Sequence, residues 1–139
     1  MALDPRLTTL GIGAALVLFT VLVRDRRGAP PAPALEVDIP TGIEIALAHA
    51  GKITTNRYGR RILVGRSASA DLRIDDPQVS RLHARIEMRE DGVYVEDLGS
   101  RNGTFVEGIP VAGNRRLSVD DEVGIGAASI IFRGVGAWR

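Results

Sequence analysis

Hydrogen-bond donors crowd into three short stretches of this chain. They are Gly65-Arg66-Ser67, then Asp75-Asp76-Pro77-Gln78-Val79-Ser80-Arg81-Leu82-His83-Ala84, and then Asp97-Leu98-Gly99-Ser100-Arg101-Asn102-Gly103-Thr104. Arg66, Ser80, Arg81, Ser100, Arg101 and Asn102 offer guanidinium forks, hydroxyls and an amide, the groups that hold an anionic, hydrogen-bonding ligand. Covalent chemistry is poorly provided for. There is no cysteine, which removes disulfides, thiolate metal sites and cysteine nucleophiles. The histidines are His49 and His83 alone, with no metal-ligand spacing and no nucleophile–base–orienter set. Glu90-Asp91 and Asp120-Asp121 are adjacent carboxylates that read as turns rather than a catalytic pair. The expectation is a binding protein and not an enzyme, with neither cofactor nor metal. A net charge of +1, from 18 basic and 17 acidic residues, lacks the basic excess of a nucleic-acid binder. Of the basic residues only Lys52 is a lysine, a bias that fits genomic base composition, although arginine's fork also suits phosphate better than an ammonium does.

The donor stretches sit between short strands. Ile43, Ile45 and Leu47 alternate with Glu44 and Ala46. Arg61-Ile62-Leu63-Val64, Leu72-Arg73-Ile74, Ala84-Arg85-Ile86-Glu87-Met88, Val93-Tyr94-Val95-Glu96 and Thr104-Phe105-Val106 follow, and Glu122 to Ile125 pairs with Ser129 to Arg133 in a last hairpin. Long 3.6-residue periodicity is absent here, and many short strands with turn punctuation mean an antiparallel sandwich or barrel. In such a fold the loops at one end carry function. The pentapeptide Gly-Ile-Gly-Ala-Ala occurs at 11–15 and again at 124–128, but neither copy leads from a strand into a helix with a later acidic residue, so neither is a dinucleotide site.

Gly65-Arg66, then Ala70-Asp71-Leu72-Arg73-Ile74, then Val79-Ser80-Arg81-Leu82-His83-Ala84, then Asp97-Leu98-Gly99-Ser100-Arg101-Asn102-Gly103-Thr104-Phe105-Val106 resembles the forkhead-associated (FHA) signature, in order and at family spacing. The resemblance covers roughly residues 43–132. It implies an all-β, FHA-type antiparallel sandwich of about eleven strands that binds phosphothreonine peptides through loops at one end. By that resemblance Arg66 and Ser80 contact phosphate, Arg81 does so often through its main chain, and Asn102 holds the ligand backbone. Ser100 and Arg101 stand beside the phosphate, and Gln78 lies near the position that reads the residue three past the phosphothreonine. Gly65, Gly103 and His83 support the site rather than touch ligand, and Asp71 and Asp97 hold turns. One departure is Glu107-Gly108, where many family members carry Asn-Gly; a peripheral turn there implies a small effect.

Residues 7–23 carry no charge, and as a helix they measure about 26 Å, near the short end for a membrane span. Arg24, Arg26 and Arg27 follow directly, and prolines crowd Ala32-Pro33-Ala34, which argues against signal cleavage there. The expected organisation is a flank at 1–6, a transmembrane helix at 7–23, an arginine-rich flank and proline-rich linker at 24–42, and the domain at 43–139. The positive-inside rule puts the C-terminal side in the cytoplasm and the N-terminus outside. Gly11 and Ala15 read as lipid-facing small residues. The linker favours extended polyproline II and reaches roughly 40 Å at about 3.1 Å per residue. Together these features describe a single-pass inner- or plasma-membrane protein whose partners are the lipid bilayer and a threonine-phosphorylated protein. The alternative is a structural subunit that packs against other members of a membrane complex.

Overall fold

The computed structural model describes residues 39–138. The expected span, its arginine flank and most of the linker lie outside the described residues. Among those described, no helix is long and apolar enough to cross a membrane.

Eleven strands form two sheets. They are β1 (Gly42–His49), β2 (Lys52–Tyr58), β3 (Arg61–Gly65), β4 (Leu72–Arg73), β5 (Ala84–Arg89), β6 (Gly92–Asp97), β7 (Thr104–Val106), β8 (Ile109–Pro110), β9 (Asn114–Leu117), β10 (Glu122–Ile125) and β11 (Ala128–Gly136). One sheet runs β2-β1-β11-β10-β7-β8 and the other β4-β3-β5-β6-β9. All pairings are antiparallel except the short β3–β4 contact.

Alternation along each strand builds the core between the sheets. In the five-stranded sheet Ile62 faces Ile86 and Ile86 faces Val95, all three fully buried. From the other sheet come Ile43, Ile45, Val123, Ile125, Ile130 and Phe132. Buried Ile74 and Val79 reach in from the loop between β4 and β5. The far face of the five-stranded sheet is polar, crossed by the ion pairs Arg61–Glu87, Arg89–Glu87 and Arg85–Glu96.

Three strands escape the sequence reading: β2, the two-residue β8, and β9. β2 is exposed along nearly its whole length, so its residues show no buried face to alternate against. Its hairpin turn is Ala50-Gly51, both at positive φ (50° and 75°), without the Asn-Gly pair that usually marks such turns. β9 buries only Leu117. β1 also departs from simple alternation, because the register with β11 shifts between Glu44 and Ile45.

The topology fixes where the loops sit. The described chain enters at Ile39-Pro40, next to the start of β1, where Ile43 pairs with Tyr58 just before β3 begins. β3 runs away from that end and delivers Gly65-Arg66 to the opposite one. Eight residues of β1 separate the ends by about 26 Å.

Candidate functional site

The loops after β3, after β4 and after β6 meet at the end of the sandwich away from the chain entry. Between them lies an open cleft of about 250 Å³, lined by Arg66, Gln78, Val79, Ser80, Arg81, Arg101 and Asn102, with Pro77 at its edge. Of the residues expected at the ligand, only Ser100 is not part of that lining.

Backbone pairing sets the first contact. Arg66 N–H donates to the Ser80 carbonyl (3.0 Å), and Ser67 N–H donates to the Arg81 carbonyl (3.1 Å). So close an approach demands a glycine before Arg66: a Cβ on Gly65 would lie 2.1 Å from the Arg81 oxygen, which is main chain and cannot swing aside. Gly65→Ala is therefore expected to cost at least about 2 kcal/mol of folding stability by overpacking, measured by denaturant unfolding. An unchanged midpoint would contradict this account of the loop.

Arg66 is exposed but held, its Nε donating to the carbonyl of buried Val79 at 3.2 Å. The terminal nitrogens of its guanidinium have no partner among the described residues. Ser80 Oγ accepts the Arg101 N–H at 3.0 Å, which leaves its own proton to give away. Asn102 Nδ2 donates to the Gln78 carbonyl at 2.8 Å, tying the two longer loops together and leaving its Oδ1 to accept. The Arg81 N–H likewise has no acceptor among the described residues. Neither Arg66, Arg81 nor Arg101 pairs with a carboxylate among the described residues.

Beneath the cleft lies fully buried His83. Its Nδ1 accepts the Ser80 N–H (3.0 Å), an arrangement in which Nε2 carries the proton and donates to the Gly103 carbonyl (2.9 Å). One imidazole thus braces the loop after β4 against the loop after β6. Gly103 sits at φ 85°, where a side chain is strained.

Ser100 differs from expectation for a plain reason. Its hydroxyl donates to Asp97 Oδ2 and accepts the Gly103 N–H (2.9 Å), so both of its roles are taken inside the loop. Asp97 also receives Thr104 Oγ1 and the N–H groups of Gly99 and Ser100. Burial disfavours its charge, but these hydrogen bonds outweigh it and hold the carboxyl below the usual carboxylate range.

Asp76 is a positioning residue to which sequence reasoning assigned no role. Its carboxylate takes the Ala127 and Gln78 N–H groups (2.8 and 2.9 Å), linking the loop after β4 to the β10–β11 turn, and those bonds lower its pKa. The signal was available: Asp-Pro-Gln permits an Asx turn, in which the aspartate accepts from the residue two places on.

Both carboxylates have folded pKa values below their unfolded ones, so the stability they add is complete above the unfolded value of about 4 and disappears as pH falls through the folded values. Thermal melts between pH 7 and pH 2.5 are expected to show an acid-side loss that is reduced in Asp76→Asn and Asp97→Asn. An acid limb identical in all three proteins would contradict this.

The FHA domain family model matches residues 62–126, which span all three site loops. An FHA domain solved in a structural and functional analysis of phosphothreonine-dependent FHA interactions superposes with a TM-score of 0.57 at 32% sequence identity, and the match covers 68% of this chain and 97% of that one. This chain belongs to the FHA family. FHA domains are phosphopeptide-binding modules. The FHA chain is also similar to the oxoglutarate dehydrogenase inhibitor of Corynebacterium efficiens, 32% identical over an alignment of 120 positions that covers 80% of this chain and 81% of that protein. It is 39% identical over 72 residues to the FHA domain-containing protein FhaB of Mycobacterium tuberculosis, a match covering 52% of this chain and 46% of FhaB. The chain thus spans about half the length of that relative.

Proposed function

We propose that this FHA domain reads phosphothreonine on a protein partner and is held at the cytoplasmic face of a membrane by residues 7–23. The observation that carries the reading is the convergence, on one cleft, of the Arg66 guanidinium, the Ser80 hydroxyl, the Arg81 N–H and the Asn102 amide, with no carboxylate paired to the arginines among the described residues. A phosphothreonine carries close to two negative charges and three acceptor oxygens at neutral pH. Arg66, Ser80 and the Arg81 main chain donate to those oxygens. Asn102 Oδ1 accepts an N–H of the peptide backbone, Arg101 adds charge at the rim, and Gln78 meets a residue beyond the phosphothreonine. Ser100 acts through Gly103 and Asp97 rather than on the ligand.

The tether is motivated by the uncharged run at 7–23 and the arginines that follow it. The cleft lies at the far end of the sandwich from Ile39-Pro40, which suits a domain presenting its loops away from its point of attachment. Tethering raises local concentration, so modest affinity suffices for membrane partners.

Two measurements test this. The full chain, extracted in detergent, is titrated with a phosphothreonine peptide from pH 5 to 8. Binding is expected to strengthen as pH rises through about 6, where the phosphate gains its second charge. A flat profile would point away from dianion recognition. Protease added outside intact cells is expected to leave the domain whole, and its digestion would overturn the assigned side of the membrane.

A further inference from the structure

Arginine pairing differs between the body of the sandwich and its loop end. Arg57, Arg61, Arg85, Arg89 and Arg133 each reach a glutamate or aspartate. Arg66, Arg73, Arg81 and Arg101, all at or beside the cleft, pair with none among the described residues. Arg60, Arg115 and Arg116 also form no ion pair among the described residues, but none of them lines the cleft. The aspartates near the loop end pair with none of these four arginines at the cleft: Asp71, Asp76 and Asp97 are bound to main-chain N–H groups, and exposed Asp75 forms no ion pair among the described residues.

Arg73 is the member of this group that a single phosphate leaves without a task. It stands on β4 opposite Gly65, exposed, and its Nε donates to the Arg66 carbonyl at 3.3 Å. That bond fixes its guanidinium beside the Arg66 main chain, outside the cleft lining, with its terminal nitrogens unpartnered among the described residues. The oxygens of one phosphothreonine meet the donors that line the cleft, and the Arg73 fork stands outside that lining.

We infer that Arg73, with Arg66, forms a second anion subsite flanking the phosphothreonine position, so that the preferred ligand carries a further phosphate or carboxylate close to the phosphothreonine. The inference rests on the phosphothreonine reading and adds to it the class of peptide the cleft takes. Guanidinium forks bind phosphate and carboxylate in the same two-pronged manner, so the two anions share one chemistry. The subsite lies at the surface, and its contribution falls as salt rises.

The test uses the full chain and three peptides of one sequence: singly phosphorylated on threonine, with a second phosphothreonine within three positions on either flank, and with glutamates at those positions. The doubly phosphorylated peptide is expected to bind about tenfold more tightly than the singly phosphorylated one on at least one flank, a gain that shrinks at high salt. Arg73→Gln is expected to erase that gain while leaving the singly phosphorylated peptide within about twofold, and Arg73→Lys to keep only part of it, since an ammonium carries the charge without the fork. Glutamates matching the second phosphate would identify an acidic rather than a multiply phosphorylated partner, within the same subsite. Equal affinity for all three peptides overturns the inference and leaves the phosphothreonine reading standing. So does an Arg73→Gln loss that is the same for every peptide, which would make Arg73 only a brace for Arg66. Failure of all three peptides to bind removes the reading itself, and the subsite with it.

Discussion

Arg66→Ala is expected to lower affinity for a phosphothreonine peptide by tenfold to more than a hundredfold while leaving the fold intact. A charge-assisted hydrogen bond is worth about 1.5–3 kcal/mol, and each 1.4 kcal/mol is a factor of ten. The side chain is exposed and forms one internal bond, to the Val79 carbonyl, so little of the folded structure depends on it. Arg66→Lys is expected to recover only part of the loss, since an ammonium keeps the charge but not the fork. Titration by fluorescence anisotropy checks affinity, and a denaturant melt checks the fold. A variant that binds as well as the parent chain would remove Arg66 from the ligand. One that unfolds would make it a structural residue.

His83→Ala has the largest expected effect on stability. The ring is fully buried and satisfies two main-chain groups on different loops. Removing it leaves the Ser80 N–H and the Gly103 carbonyl without a partner, about 1–3 kcal/mol for each such group, and opens a cavity besides. The two groups alone come to about 2–6 kcal/mol, a large fraction of the roughly 5–15 kcal/mol that holds a typical domain together. His83→Gln, which can replace one of the two bonds, is expected to lose clearly less. Chemical denaturation measures both. If the two substitutions cost the same small amount, the imidazole is filling space rather than bracing loops.

Much of the fold was legible because the buried strands advertise themselves. The alternation of Ala84 to Met88 and Val93 to Glu96 is the pattern their burial follows in the structure. β2 was not legible, since a strand exposed on both faces leaves no periodic trace and its turn uses Ala50 where asparagine would be the usual sign. Residue types and spacing identified most of the cleft lining, because arginine, serine and asparagine in loops have few other employments. They did not separate Ser100 from Ser80. Both are loop serines beside an arginine, and only the fold reveals that one hydroxyl turns inward to Asp97 while the other faces the cleft. The Asp76 bridge to Ala127 joins residues 51 apart in sequence, a partnership that no local pattern contains.

Glu107 marks a place where sequence and conformation disagree. It occupies φ 49°, a left-handed position that asparagine tolerates better, yet its carboxylate takes the Glu122 N–H at 2.6 Å. That bond gives the glutamate a local role at the β7–β8 turn, and it is not among the residues lining the cleft.

The most direct measurement is binding of the full chain to a panel of matched peptides, each prepared with threonine, phosphothreonine and phosphoserine at one position. At least one phosphothreonine member is expected to bind with a dissociation constant of about micromolar, its phosphoserine counterpart more weakly, and the unphosphorylated one not at all. Indifference to every phosphothreonine offered, or equal binding with and without the phosphate, would contradict the account.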